Sequence, residues 1–323
     1  VTTGRPTYAQ LRTREPAGSS WSVWPQTPEL GCLNNLSPAL VAAAAAGVTK
    51  GSTFVLGLDL DAIEPPLFGR PAAQHTLTRE YDGPYHDDIL DGFNTQSGSQ
   101  WDGFRHARNP VHGWYGGLRE EQHGVKHWAQ RGIAGRGLLV DIGRWKQTTD
   151  PTYRPDESAD ITVADLDAAL SAQGATIEAG DILCIRTGWL SWYRSLDAAG
   201  RADVSSSVHC AGLAPGHETL AWLWDHQLSA VVSDNPTVEA WPAGSTCNEQ
   251  LRREVEADLT RVAEISLHRS ALPLLGLPLG ELFDLDALAQ DCAADGRWSF
   301  FLTAAPIGLP GGAASPANAL AFK

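Results

Sequence analysis

A chain of 323 residues, 43% hydrophobic and 19% charged, has the composition of a folded globular protein with room for a sizeable core. Its 24 Lys+Arg stand against 38 Asp+Glu, and the net charge of −14 repels phosphate backbones and anionic lipid, which argues against nucleic-acid and membrane partners. No apolar run reaches bilayer length, and five scattered cysteines without CxxC spacing argue against a zinc ribbon or disulfide framework and fit a reducing, cytoplasmic setting.

Residues 1–36 read as irregular and show no basic-then-apolar signal pattern. Ser37-Pro38 opens an Ala-rich helix, with Ser37 as cap and Pro38 at its first position; Gly51-Ser52 ends that unit. Thr53 to Leu60 reads as a strand leading to Asp59, Asp61 and Glu64, carboxylates of the kind that are usually solvated. Pro66 to Pro84 reads as an irregular, substrate-side loop. His86-Asp87-Asp88 is read as structural, because adjacent strand residues point to opposite faces.

Next, Gln96, Gln100, Asp102 and His106 gather around the small residues Gly98, Ser99 and Gly103. An Asp with a His four residues on could serve a metal and its water. On spacing alone, a polar loop between two strands is the commoner outcome. His112 to Gly117 is a flexible aromatic loop. Gly132 to Gly137 precedes the strand 138–142, the reverse of the order a phosphate cradle needs, so no dinucleotide site is expected. Thr162 to Asp165 resembles a capping box opening a helix that stops at Gly174. A strand follows at 182–186, then a helix at 218–226 and a strand at 228–232. This alternation predicts an α/β domain with part of its sheet parallel, and without repeats or linkers the whole of 1–323 reads as one domain.

Late in the chain, His268 and Glu281 stand among apolar residues, where a satisfied core histidine and a helix-start carboxylate are the ordinary readings. Of the 12 Trp, most are expected in the core. Trp101, Trp114 and Trp189, with Tyr115, adjoin the suspected site and would give a small, flat, cyclic substrate an aromatic wall. No Gly-x-Ser-x-Gly elbow is present, which disfavours a serine hydrolase.

The 96–106 segment resembles the signature His-x-Gly-Thr-His-x-Asp-x-Pro-x-His of the cyclase family of metal-dependent hydrolases, which includes kynurenine formamidase, isatin hydrolase and trans-dienelactone hydrolase. Gly98, Asp102 and His106 match, Ser99 and Phe104 replace Thr and Pro, and Gln96 and Gln100 take the two leading His positions. Arg136-Gly137 through Asp141, Arg186-Thr187-Gly188, Arg269 with Leu272, Leu274 and Leu275, and the tail from Ala305 resemble further family blocks. The resemblance implies a swivelling β/β/α fold, a single domain with a mixed sheet flanked by helices. It implies one divalent metal ion, Zn or Mn, held by Gln96, Gln100, Asp102, His268 and Glu281. Gln in place of His offers a harder oxygen donor. His106 is then the general base to the metal's water and the acid to the leaving group. The activity expected is hydrolysis of a small cyclic ester (lactone) or cyclic amide, aromatic or unsaturated, by a homo-oligomer. The alternatives are a cyclase or dehydratase in natural-product assembly, and a catalytically inactive small-molecule-binding relative.

Overall fold

Uninterrupted apolar runs at Leu138–Val140, Leu183–Ile185 and Ala230–Val232 suit strands covered on both faces. They form the middle of the sheet in the computed structural model, which describes residues 4–78, 85–119 and 122–323. Thirteen strands are found among these residues, in chain order β1 (Thr53–Val55), β2 (Gln74–Thr78), β3 (Asp87–Asp91), β4 (Gln100–Asp102), β5 (Ile133–Asp141), β6 (Asp160–Ile161), β7 (Ile182–Arg186), β8 (Gly212–Leu213), β9 (Ala230–Ser233), β10 (Leu279–Glu281), β11 (Ser299–Ala304), β12 (Ala314–Pro316) and β13 (Ala319–Phe322). Nine of them make one mixed sheet in the order β1-β13-β11-β5-β7-β9-β10-β4-β12. Its centre, β5-β7-β9-β10, is parallel, and the flanking pairings are antiparallel.

The parallel steps are bridged by helical crossovers, as the alternation predicted. The helix Val163–Gln173 begins at a complete capping box, with Thr162 Oγ1 accepting from Asp165 N and the Asp165 carboxylate accepting from Thr162 N, and it ends at left-handed Gly174. The helix His217–Asp225 buries Leu220, Trp222, Leu223 and Trp224 against the sheet's core cluster. Ser37 caps the helix Pro38–Ala46 through Leu40 N.

Three local expectations change. The strand expected over 53–60 is only three residues long: Leu56 N still donates to Ala319 O of β13, but Leu56 O accepts from Asp284 N and the ladder ends there. The segment expected to be an irregular loop contains β2, which pairs antiparallel with β3; its Thr-Leu-Thr run favours strand, and His75 Nε2 meets Asp88 Oδ1 across the pair at 2.6 Å. Residues 79–84 of that loop lie outside the described residues. The N-terminal segment is not wholly irregular: Thr7 and Gln10 form a capping box on the short helix Tyr8–Leu11.

The sheet register places the polar signature. β4 lies between β10 and β12, with Leu279 opposite Asp102, Gly280 opposite Trp101 and Glu281 opposite Gln100. A Cβ at Gly280 would stand 2.4 Å from Val232 Cγ1, so only glycine lets β10 sit this close to β9. No helix among the described residues is long and apolar enough to cross a membrane.

Candidate metal centre

On a strand, residues two apart share a face, so β4 presents Gln100 and Asp102 together and sends Trp101 to the other side. Trp101 is fully buried, donates from Nε1 to Ala317 O and packs edge-on against Phe283. Across the ladder Gln100 Nε2 donates to Glu281 Oε2 at 2.5 Å. Asp102 is also fully buried, and its Oδ1 accepts from Gln96 Nε2 at 2.8 Å. The other oxygen, Oδ2, has no hydrogen-bond partner, and neither has Gln100 Oε1.

Two imidazoles face that orphaned oxygen. His268 Nε2 is 3.6 Å from Asp102 Oδ2 and His106 Nε2 is 3.7 Å from it. These separations are too long for hydrogen bonds. They suit the edges of a ligand shell, since metal–ligand bonds of about 2.0–2.2 Å put neighbouring tetrahedral ligands roughly 3.3–3.5 Å apart. Ligand atoms of Asp102, His106 and His268 all lie within 4.8 Å of one another. Glu281 Oε1 adds a fourth atom, 3.0 Å from His268 Nε2.

His268 is oriented by a residue that sequence reasoning missed. Buried Glu239 accepts from Leu267 N at 2.5 Å, His268 N at 3.1 Å and His268 Nδ1 at 2.7 Å. With Nδ1–H committed to Glu239, the Nε2 lone pair faces Asp102 and Glu281. Without a cation, one proton must lie between His268 Nε2 and Glu281 Oε1. Burial opposes charge on His268, yet Asp102, Glu239 and Glu281 outweigh it and hold the imidazolium well above its usual range. Burial, and then the charge of Asp102, push Glu281 up to about 7. A divalent cation would replace that proton and take up the two orphaned oxygens, so the residues fit one. The backbone at Glu239 is itself constrained: β-branched Val238 has φ 57°, and a Cβ on Gly212 would lie 2.3 Å from the Glu239 carbonyl. The signal available in the sequence was position, since Glu239 follows the carboxyl end of a buried parallel strand, where α/β sheets place functional groups.

Gln96 lies beside His106, its Nε2 2.9 Å from Nδ1. Asp102 can only accept, so the Gln96 amide nitrogen is fixed toward it and toward His106, leaving Nδ1 of the neutral ring as acceptor. Burial, against the pull of Asp102, lowers the pKa of His106. Thus Gln96, Gln100, Asp102, His106, His268 and Glu281 form one cluster. The aromatic wall expected from Trp101, Trp114, Tyr115 and Trp189 is placed differently. Trp101, Tyr115 and Trp189 are core residues, Tyr115 against Phe104 and Trp189 stacked on Tyr193; Trp114 is half-buried ahead of the turn at Tyr115. Neighbours in sequence to a site residue on a strand point away from it. Arg70, which donates to the Gln96 carbonyl, lies over the Phe68 ring, and Trp241 is edge-on to Phe68 at 5.6 Å. A cavity of about 920 Å³ lies behind the signature loop, lined by Ser97, Gly98 and Ser99 and not by the clustered side chains.

A family model described as "Putative cyclase" matches residues 35–240. The crystal structure of a novel cyclase aligns with a TM-score of 0.78 at 29% identity, over 94% of this chain and 99% of that one. Isatin hydrolase A from Ralstonia solanacearum aligns with a TM-score of 0.58 at 17% identity, over 88% of this chain and 95% of its own. Isatin hydrolase A from Labrenzia aggregata, bound to benzyl benzoate, gives 0.56 at 16%, over 88% and 97%. Likeness at these lower identities extends to the fold. No curated protein matches the chain significantly.

Proposed function

The chain belongs to the cyclase family, whose model spans well over half of it, and from that premise we propose that it is a metal-dependent hydrolase opening a small cyclic ester or cyclic amide. The observation that carries this reading is the buried, unpartnered Asp102 Oδ2 with His106 and His268 both turned to it. Asp102, Gln100, His268 and Glu281 would hold one divalent cation, Zn or Mn, with Gln96 donating to Asp102 beside it. When bound, the ion would lower the pKa of a water and polarise a carbonyl.

The chain's own residues supply the rest. Glu239 keeps the His268 lone pair on the centre. His106, partly exposed, would take the proton as water adds to the carbonyl carbon, and return it to the leaving oxygen or nitrogen as the ring C–O or C–N bond breaks. In its base form Nδ1 carries the hydrogen, so the Gln96 amide nitrogen would have to withdraw from Nδ1 while keeping its bond to Asp102. A second reading has His106 as a further protein ligand, favoured by its distance to Asp102 equalling that of His268 to within 0.1 Å.

Elemental analysis of the purified protein, with a hydrolysis screen over lactones and cyclic amides, tests the proposal. About one divalent ion per chain and metal-dependent ring opening are expected. A metal-free protein that gains no activity from added Zn or Mn refutes the hydrolase and leaves a small-molecule-binding relative.

A further inference from the structure

The imidazole of His268 stands between two carboxylates, Glu239 at Nδ1 and Glu281 at Nε2, and each of them adjoins a residue with a left-handed backbone. Val238, just before Glu239, has φ 57°, and Leu282, just after Glu281, has φ 54°. Both are bulky, apolar and buried, and such residues take this conformation only where their surroundings impose it.

One residue meets both. Asn235 is fully buried; its Oδ1 accepts from Val238 N at 2.8 Å, and its main-chain carbonyl accepts from Leu282 N at 3.0 Å. Its amide nitrogen donates to Ala211 O at 2.7 Å and lies 3.6 Å from Cys210 Sγ. Val238 N can only donate and Ala211 O can only accept, so the amide has one orientation. Ala211 precedes Gly212, the glycine against which the Glu239 carbonyl lies. Leu282 is held from its other side as well: its carbonyl accepts at 2.5 Å from the hydroxyl of Ser99, the residue before Gln100. The backbones that carry Glu239, Glu281 and Gln100 therefore share one hydrogen-bonded support, with Asn235 at its middle.

We infer that Asn235 is a positioning residue for the metal centre: it holds Val238 and Leu282 in the left-handed conformation that turns Glu239 to His268 Nδ1 and Glu281 to His268 Nε2. Its effect on the cation rests on the metal-hydrolase reading; its effect on His268 rests on this geometry alone. Without the Asn235 Oδ1, the Val238 N–H is left unpaired where water does not reach it, and a β-branched residue favours return to the extended region. That change shifts the backbone of Glu239 and with it the acceptor of the His268 Nδ1–H.

Zn titration against a chelating dye, and proton NMR of the imidazole N–H signals of the metal-free protein, test it on variants shown to be folded by circular dichroism. Asn235→Ala should bind Zn about tenfold or more weakly than wild type. The His268 Nδ1–H signal, identified by its loss in His268→Gln, should move or vanish. In a Val238→Gly background, where glycine takes positive φ without a clamp, the same replacement should weaken Zn by less than about threefold. Asn235→Ser keeps a hydroxyl for the Ala211 carbonyl but is too short for Val238 N; it stands in if the Ala variant does not fold, and its loss should match. A folded Asn235→Ala or Asn235→Ser protein with Zn affinity within about twofold of wild type overturns the positioning role, since a residue that only stabilises the fold would lower Tm and leave the affinity alone. An equal loss with and without Val238→Gly overturns it too. If the wild type takes up no metal, the hydrolase falls and the Nδ1–H signal decides by itself: unmoved in Asn235→Ala, it removes Asn235 as well; moved, it keeps Asn235 as the support of His268.

Discussion

Replacing Glu239 with Gln probes whether this buried carboxylate positions His268. Its Oε2 accepts from Leu267 N, and its Oε1 from His268 N and Nδ1. Gln has one acceptor oxygen. If that oxygen stays with His268, the amide N–H₂ faces Leu267 N–H, a donor against a donor in a site closed to water. If it turns to Leu267, His268 must surrender Nδ1–H and move the hydrogen to Nε2, the atom that faces the centre. The first arrangement loses a charge-assisted bond of about 1.5–3 kcal/mol and leaves a buried donor unpaired at about 1–3 kcal/mol, so about 3–5 kcal/mol is expected. With about 2.1 cal/mol/K of unfolding entropy per residue, a chain of this length should lose roughly 4–7 °C in Tm. In either arrangement the ligand lone pair is less well held, and metal affinity should fall about 10- to 100-fold. Thermal unfolding by calorimetry and Zn titration of the folded variant read the two effects separately. A variant within about 1 °C of wild type with unchanged Zn affinity would refute the positioning role.

His106→Asn keeps a hydrogen-bonding group of similar shape that takes no proton at neutral pH, so turnover should fall about 10²–10⁴-fold with metal content retained; loss of the metal instead would make His106 a ligand. Buried His123 has its pKa pushed down to about 4, chiefly by desolvation. In the unfolded chain it titrates near 6.5, so its neutral form supports the fold fully above that pH and the support is lost as pH falls toward 4, by at most about 3 kcal/mol. His123→Leu should therefore flatten the change in urea midpoint between those pH values relative to wild type; parallel curves for the two proteins would show that His123 does not titrate on unfolding.

The parallel centre of the sheet was legible because β5, β7 and β9 are continuous apolar runs separated by helical patterns. The cluster was legible at Gln96, Gln100, Asp102 and His106 through local spacing, and at His268 and Glu281 only through resemblance, since nothing in the intervening chain indicates that β10 pairs with β4. The aromatic wall was misplaced because nearness in sequence was taken for nearness in space, although the two-residue period of a strand turns Trp101 away from Asp102. Glu239 escaped because it works through a contact with a distant segment, that of His268. The β2–β3 pair escaped because its exposed residues, Leu77, Ile89 and Leu90 among them, show no buried face from which to read a period.

The pairing of β4 with β10 and β12 also sets a clock on the ribosome. The indole of Trp101 waits for a carbonyl 216 residues further on. At about 5–20 residues per second that interval is roughly 10–40 s, during which the signature segment has been made and its strand neighbours have not. Asp102 emerges long before His268 and Glu281, so the nascent chain carries one carboxylate, two glutamines and His106 but not the whole centre. Any cation must therefore be acquired after the last third of the chain has folded back, from the pool the finished protein meets and not from whichever ion first reaches the growing polypeptide.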